Sequence, residues 1–197
     1  MAVTQKDWSL GEAEKTAEDL IWHLDGVFER IELAGSVRRR RPRVHDLDFC
    51  CIPLTYGVPL DLFGTLKVVS SLNNALQDLG VEWTGGDRIH RFEWQGAEVD
   101  LYITDETNFA LTWLIRTGSA EHNQYLCQLA NLRGYSISYS EGLKHRQSGE
   151  VVLVFSETEL FEILDLEFVK PELREAERCS GYPSFRPKYQ QPVKIRL

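Results

Sequence analysis

The chain has 197 residues, of which 43% are hydrophobic and 26% are charged, and its formal net charge is −8 at pH 7. This composition fits one compact domain or two small ones, and it excludes a disordered polyelectrolyte. The negative net charge also argues against a protein that coats nucleic acid through bulk electrostatics.

The sequence shows neither a membrane helix nor a signal peptide. No apolar run approaches the roughly 20 residues that a membrane helix needs, and the first residues lack an apolar core. We therefore expect a cytoplasmic monomer without a membrane partner, associated with the nucleoid if the source is bacterial or a phage. The four cysteines form no C-x-x-C pair, and the neighbours Cys50 and Cys51 point to opposite faces of a predicted strand. All four are interpreted as reduced thiols.

The first half of the chain predicts a mixture of helices and strands. A capping box at Ser9 begins a helix whose apolar positions continue to Phe28. A short strand over 31–34 precedes a basic run, and an alternating strand follows over 44–53. The next elements are a helix over 63–79 that ends at Gly80, and two strands over 88–94 and 97–103 that a tight turn at Gln95–Gly96 joins.

The second half of the chain is mainly helical in its pattern. We expect an α+β fold made of a unit over 1–104, a second unit over 105–177 and a basic tail over 178–197. The tail carries cations and aromatic residues without an acid, which suits a nucleic-acid strand or an acidic partner, and a disordered terminus is an equal alternative. The elements predicted in the second unit are helices over 108–115, 119–133 and 156–164, and strands over 135–143 and 150–155 that can pair.

Three aspartates carry the strongest chemical signal in the sequence. Asp46 and Asp48 share one face of their strand with Cys50, and Asp100 lies on the polar face of its own strand. If the two strands are neighbours, the three carboxylates converge and repel one another unless cations bind. Hard oxygen ligands suit Mg²⁺ or Mn²⁺, and two such ions can serve a phosphoryl transfer. The spacing alone leaves a metal site and a solvated strand face both open.

An ordered string over 35–48, GSVRRRRPRVHDLD, strengthens the metal interpretation. Gly35 permits close approach of the backbone to a phosphate, Ser36 supplies a hydroxyl, and the arginines supply paired donors. The string resembles the G-S-x-R-R … D-x-D signature of the DNA polymerase X family, the DNA polymerase beta-like nucleotidyltransferases. Three further segments, 99–102, 117–123 and 159–174, resemble the family's third-carboxylate strand, its T-G-S-x-x-x-N nucleotide motif and its C-terminal segment.

The resemblance implies a nucleotidyltransferase palm that holds the metals, with a mixed sheet and helices, and a small C-terminal subdomain that closes over the nucleotide. It implies that Asp46, Asp48 and Asp100 bind two Mg²⁺ ions, for which Mn²⁺ can substitute. Asp100 would accept the proton of the primer 3′-hydroxyl. The implied nucleotide-binding set is Gly35, Ser36 and Arg39 at the phosphates with the His45 backbone nearby, Gly118 and Ser119 at the sugar, Asn123 at the base, and the adjoining Arg116 and Thr117.

Two departures from the family pattern matter. Ile115 and Arg116 stand where many members have an aromatic pair that excludes a 2′-hydroxyl, so we predict weakened selectivity against ribonucleotides. For Arg116, a surface cation at a helix C-terminus is an equal alternative. We also expect a minimal form without the family's N-terminal lyase domain.

The leading interpretation is an enzyme, a DNA polymerase that adds nucleotides from a (d)NTP to a primer 3′-hydroxyl on primer–template or gapped DNA, in repair or gap filling. Two alternatives stay open. One is a nucleotidyltransferase that works without a template or modifies RNA or protein, and the other is a catalytically inactive module that binds DNA ends. The negative net charge predicts weak, salt-dependent affinity for free DNA. A protein partner or a pre-bound nucleotide would then supply the additional affinity.

Overall fold

Helices and strands alternate through the described part of the chain, which confirms the predicted α+β class. A computed structural model describes residues 7–59, 66–139 and 141–175, so the predicted basic tail lies outside the described residues. The elements in chain order are β1 (Trp8–Ser9), α1 (Leu10–His23), β2 (Phe28–Leu33), α2 (Gly35–Arg38), β3 (Arg43–Val44), β4 (Asp46–Pro53), β5 (Thr55–Pro59), β6 (Leu66–Ser70), α3 (Ser71–Asp78), β7 (Thr84–Gly86), β8 (Ile89–Trp94), β9 (Ala97–Ile103), α4 (Phe109–Thr117), α5 (Ala120–Leu132), β10 (Tyr135–Ser138), β11 (Gly142–His145), β12 (Val151–Val152), α6 (Glu157–Ile163) and a 3₁₀ turn (Pro171–Leu173).

A five-stranded mixed sheet with the order β2-β4-β9-β8-β7 positions the site. Its central strands β4 and β9 are parallel, in a register that sets Asp48 opposite Asp100, and its other pairs are antiparallel. The predicted hairpin between β8 and β9 is confirmed, because Gln95 and Gly96 both have positive φ values, 51° and 83°. Such a turn matches the twist of the strands that it joins.

The capping box predicted at Ser9 is confirmed. The Ser9 side chain accepts from the Glu12 N–H, and the Glu12 carboxylate accepts from the Ser9 N–H, so two free donors of the helix end are satisfied. The helix ends at His23, earlier than predicted. Gly26 adopts a left-handed φ of 73° just beyond it, and Phe28 begins a strand instead.

Two predicted elements are wrong in extent. The helix expected over 63–79 begins only at Ser71, after the Ser70 side chain accepts from the Leu72 N–H, and the segment before it is the strand β6 paired with β5. The β-branched pair Val68–Val69 favours that strand. The strand expected over 135–143 is instead the hairpin of β10 and β11, to which β12 adds two residues.

The buried side chains form two hydrophobic cores. One core joins α1, α3 and one face of the central sheet, with members from Trp8 to Leu101, and the other joins α4, α5, α6 and the β10–β12 sheet, with members from Ala110 to Val169. The structure therefore has two packed units that meet along α2 and α4. Among the described helices, none combines the length and the apolarity that crossing a bilayer requires.

A helix covers one end of the strand face that carries the aspartates. Cys50 shares a face with Asp46 and Asp48 but is fully buried, because α4 packs over this end of β4. The Trp113 indole N–H of α4 fixes that packing by donating to the Leu33 carbonyl. Within the described residues the thiols of Cys50, Cys51 and Cys127 are free, as predicted, whereas Cys179 lies outside them.

Candidate active site

The structure brings the three predicted aspartates together on β4 and β9. Burial is the largest cause that raises the pKa of Asp48, and the negative charges of Asp46 and Asp100 raise it further, to about 7. Burial and the charge of Asp100 also raise the pKa of Asp46. Arg39 lowers both values without reversing either shift. Asp46 and Asp48 are therefore poorly solvated carboxyls whose ionisation is also opposed by neighbouring carboxylates.

The Asp100 carboxylate is held by two neighbours. The Arg91 Nε donates to both oxygens at 3.1 and 3.2 Å, and the Tyr102 hydroxyl donates to Oδ2 at 2.9 Å. With these contacts in place, the described residues contain no group of three or more His, Cys, Asp or Glu side chains that is arranged to coordinate a metal ion. The donor chemistry fits a hard divalent cation nonetheless, because crowded carboxylates with raised pKa values gain from a positive charge.

The short helix α2 presents the predicted phosphate residues beside the aspartates. Gly35 has a left-handed φ of 52°, and a Cβ at this position would overlap the Asp48 carboxylate, so only glycine fits. The Ser36 hydroxyl is buried and has no hydrogen-bond partner among the described residues. An unpaired buried hydroxyl is costly unless a ligand satisfies it, so Ser36 is a reasonable phosphate donor.

Arg39, the third predicted phosphate residue, is engaged in contacts within the protein. Its Nε donates to the Glu175 carboxylate at 2.6 Å, and its NH1 donates to the Thr117 carbonyl at 2.7 Å. The structure therefore places Arg39 between the aspartates and the T-G-S motif. A phosphate would have to compete with Glu175 for this guanidinium.

The T-G-S segment forms the junction between α4 and α5. The buried Thr117 hydroxyl accepts from Arg38 at 2.6 Å, and the Ser119 hydroxyl caps α5 by accepting from the His122 N–H. The Asn123 amide N–H donates to the Ile115 carbonyl at 2.7 Å. Gly118 packs so close to Asn123 that a Cβ would overlap its side chain. These residues are brought together, and each also has a structural role.

Comparison with known proteins points to the same family as the motifs. The family model of the DNA polymerase beta thumb matches residues 112–175. The chain is also similar to the DNA polymerase/3'-5' exonuclease PolX of Bacillus subtilis (strain 168), at 29% identity over 173 residues that cover 85% of this chain and 28% of that relative. Both comparisons thus show a similarity to family X DNA polymerases. The chain spans little more than a quarter of the length of the curated relative.

The other two predicted nucleotide residues, His45 and Arg116, make contacts elsewhere within the protein. The exposed His45 ring pairs with Asp7 at 2.9 Å, and its charge lowers the pKa of Asp46. The Arg116 guanidinium lies over the Tyr102 ring, with its Cζ 4.0 Å from the ring centroid. Arg116 is therefore directed toward the sheet that carries the aspartates.

A buried ionic cluster, formed by Arg38, Glu157 and Arg174, was missed by sequence reasoning. Arg38 and Arg174 each donate two hydrogen bonds to the Glu157 carboxylate, at 2.7–3.1 Å. Burial raises the pKa of Glu157, but the hydrogen bonds outweigh it and hold the pKa below its usual range. Arg174 is fully buried. The available signal was Arg174 itself, an arginine in the C-terminal segment that resembles the family.

Proposed function

We propose that this chain transfers a nucleotide from a (d)NTP to the 3′-hydroxyl of a DNA primer, in repair or gap filling. The observation that carries the proposal is the juxtaposition of three crowded aspartates with the unpaired Ser36 hydroxyl at the Gly35 turn. Neighbouring carboxylates that repel one another, and a buried donor without a partner among the described residues, are complementary to divalent cations and a triphosphate. The similarity to the DNA polymerase beta thumb and to PolX supports the same assignment.

The proposed roles follow from position. Asp46, Asp48 and Asp100 would hold two Mg²⁺ ions, which when bound neutralise the charge on the transferred phosphate and polarise its oxygens. Asp100 accepts the proton of the primer hydroxyl. Ser36 and Arg39 donate to the triphosphate.

The T-G-S junction would hold the sugar and base of the nucleotide. Gly118 and Ser119 lie at the turn between the two helices, and Asn123 follows one turn into α5. In-line attack on the α-phosphate then depends on positioning and charge neutralisation more than on covalent chemistry. Ile115 provides an aliphatic surface rather than an aromatic wall beside the sugar, so the proposed enzyme discriminates weakly between the two sugars.

DNA binding is the second part of the proposal. The net charge of −8 predicts weak affinity for free duplex and a steep fall with salt. A protein partner or a pre-bound nucleotide would then supply the additional affinity. The alternative without a template differs only in what positions the primer, so substrate preference separates the two.

The test is incorporation of a labelled nucleotide with Mg²⁺ or Mn²⁺ on templated, gapped and single-stranded primers. The proposal predicts extension that requires a template strand and favours gapped DNA. Asp100→Asn should abolish it, whereas Asp78→Asn, an exposed aspartate at the end of α3, should leave it unchanged. Extension of single-stranded primers alone would favour the untemplated alternative, and extension unaffected by Asp100→Asn would contradict the proposed site.

A further inference from the structure

Arg116 lies between two tyrosine rings that belong to different parts of the fold. Its Cζ is 4.0 Å from the centroid of Tyr102, in β9, and 5.0 Å from the centroid of Tyr139, just after β10. The Arg116 Nε is buried and has no hydrogen-bond partner within the described part of the chain. The contacts that hold the guanidinium are therefore the two ring faces, which attract a cation.

Tyr102 connects this stack to the carboxylates. The residue is 8% exposed, and its hydroxyl donates to Asp100 Oδ2 at 2.9 Å. The Tyr102 hydroxyl thus holds one of the three carboxylates, and the ring that carries it is covered by Arg116.

We propose that Tyr102 is a positioning residue that holds the Asp100 carboxylate in the orientation needed to bind a divalent cation beside Asp48, and that Arg116 fixes the Tyr102 ring. This inference rests on the proposed function of the aspartates as metal ligands. Hydrogen-bonding partners behind metal ligands commonly account for 10–100-fold in affinity. Arg116 and Tyr139 belong to the thumb-like region 112–175, so the stack makes the orientation of the Asp100 carboxylate depend on the position of that region.

The experiment measures the Mn²⁺ dissociation constant of the full chain by electron paramagnetic resonance, without nucleotide or DNA. Tyr102→Phe removes only the hydroxyl, and it should raise the dissociation constant about tenfold. Tyr139→Phe is the matched control, because the same change on the second ring keeps its face toward Arg116. Its dissociation constant should equal that of the wild type.

Arg116→Met tests the second half of the inference and serves if Tyr102→Phe fails to fold, which thermal unfolding reveals. It should weaken Mn²⁺ binding about threefold, and the double variant Tyr102→Phe/Arg116→Met should bind no more weakly than Tyr102→Phe alone, because both act through one hydroxyl. Unchanged or tighter binding in Tyr102→Phe overturns the inference, and additive effects overturn the role of Arg116. A wild-type chain that binds no Mn²⁺ overturns the proposed function together with the inference.

Discussion

The two ends of the short helix α2 contact charge clusters of opposite character. At Gly35 stand three aspartates whose mutual repulsion, added to burial, raises the pKa of Asp48 to about 7. At Arg38 begins the ionic cluster, in which the hydrogen bonds of two arginines outweigh burial and lower the pKa of Glu157. Oppositely charged pairs of this kind join two parts of a fold. Neighbouring like charges oppose folding, and they are typical of functional sites, where a bound ligand can offset them.

The largest effect is expected from breaking the ionic cluster. Glu157→Gln leaves two buried arginines without a carboxylate, so the free energy of unfolding should fall by about 3–5 kcal/mol. Because the folded pKa of Glu157 lies below its ordinary value of 4.5, this stabilisation is present above about pH 4.5 and is lost as the pH falls through the folded pKa. Urea unfolding from pH 3 to pH 8 measures both the loss of unfolding free energy and its dependence on pH. Glu167→Gln, an exposed glutamate shortly after the same helix, should change little.

The aspartates should respond in the opposite direction. The pKa of Asp48 rises from 3.8 to about 7 on folding, so its ionisation disfavours the folded state by up to about 4 kcal/mol at about 1.4 kcal/mol per unit. Stability without metal should therefore decline between about pH 4 and pH 7. Asp48→Asn should be more stable than the wild type at pH 8 and equal to it at pH 4. A wild type that gains stability over this range would show that the charge is compensated.

The glycine between the two clusters should tolerate no side chain. Gly35→Ala forces alanine into a left-handed conformation and against the Asp48 carboxylate, so we expect a loss of about 2 kcal/mol in thermal unfolding together with loss of incorporation. Gly11→Ala is the matched control. It lies in α1 with open space around it, and it should stabilise the chain by about 1 kcal/mol. Equal outcomes for the two glycines would contradict the close approach of α2 to Asp48.

The smallest expected effect is on the selectivity for the deoxyribose over the ribose of the incoming nucleotide. An aliphatic Ile115 should leave the preference for dATP over ATP low, and Ile115→Tyr should raise that preference about tenfold in a competition assay of primer extension. Ile115→Val, which stays aliphatic, should not change it. High selectivity in the wild type would place the sugar contact elsewhere.

Sequence reasoning succeeded where the signal is local. Strand alternation placed Asp46 and Asp48 on one face, and the capping box marked the helix start at Ser9, which caps its helix in the structure. These patterns depend on neighbours a few residues apart. The family resemblance also implied that the two strands with the aspartates are neighbours. The observed register of β4 and β9, with Asp48 opposite Asp100, is consistent with that implication.

Sequence reasoning failed where the local structure depends on contacts between segments that are far apart in the sequence. The strand β6 needs its partner β5, so an apolar run before α3 was interpreted as helix. Cys50 is buried by a helix that begins almost 60 residues later. Arg38 and Glu157 are 119 residues apart, and no local pattern pairs them. The position of the Arg116 guanidinium likewise depends on two rings from separate strands or their ends.

The central claim is that the aspartate cluster binds a divalent cation. Thermal unfolding with and without Mn²⁺ at pH 8 tests it most directly. A cation that binds only the folded state raises the Tm, and it should do so for the wild type. Asp48→Asn should already unfold at a higher temperature without metal and gain little when Mn²⁺ is added. An equal rise in Tm for both proteins, or none in the wild type, would contradict the account.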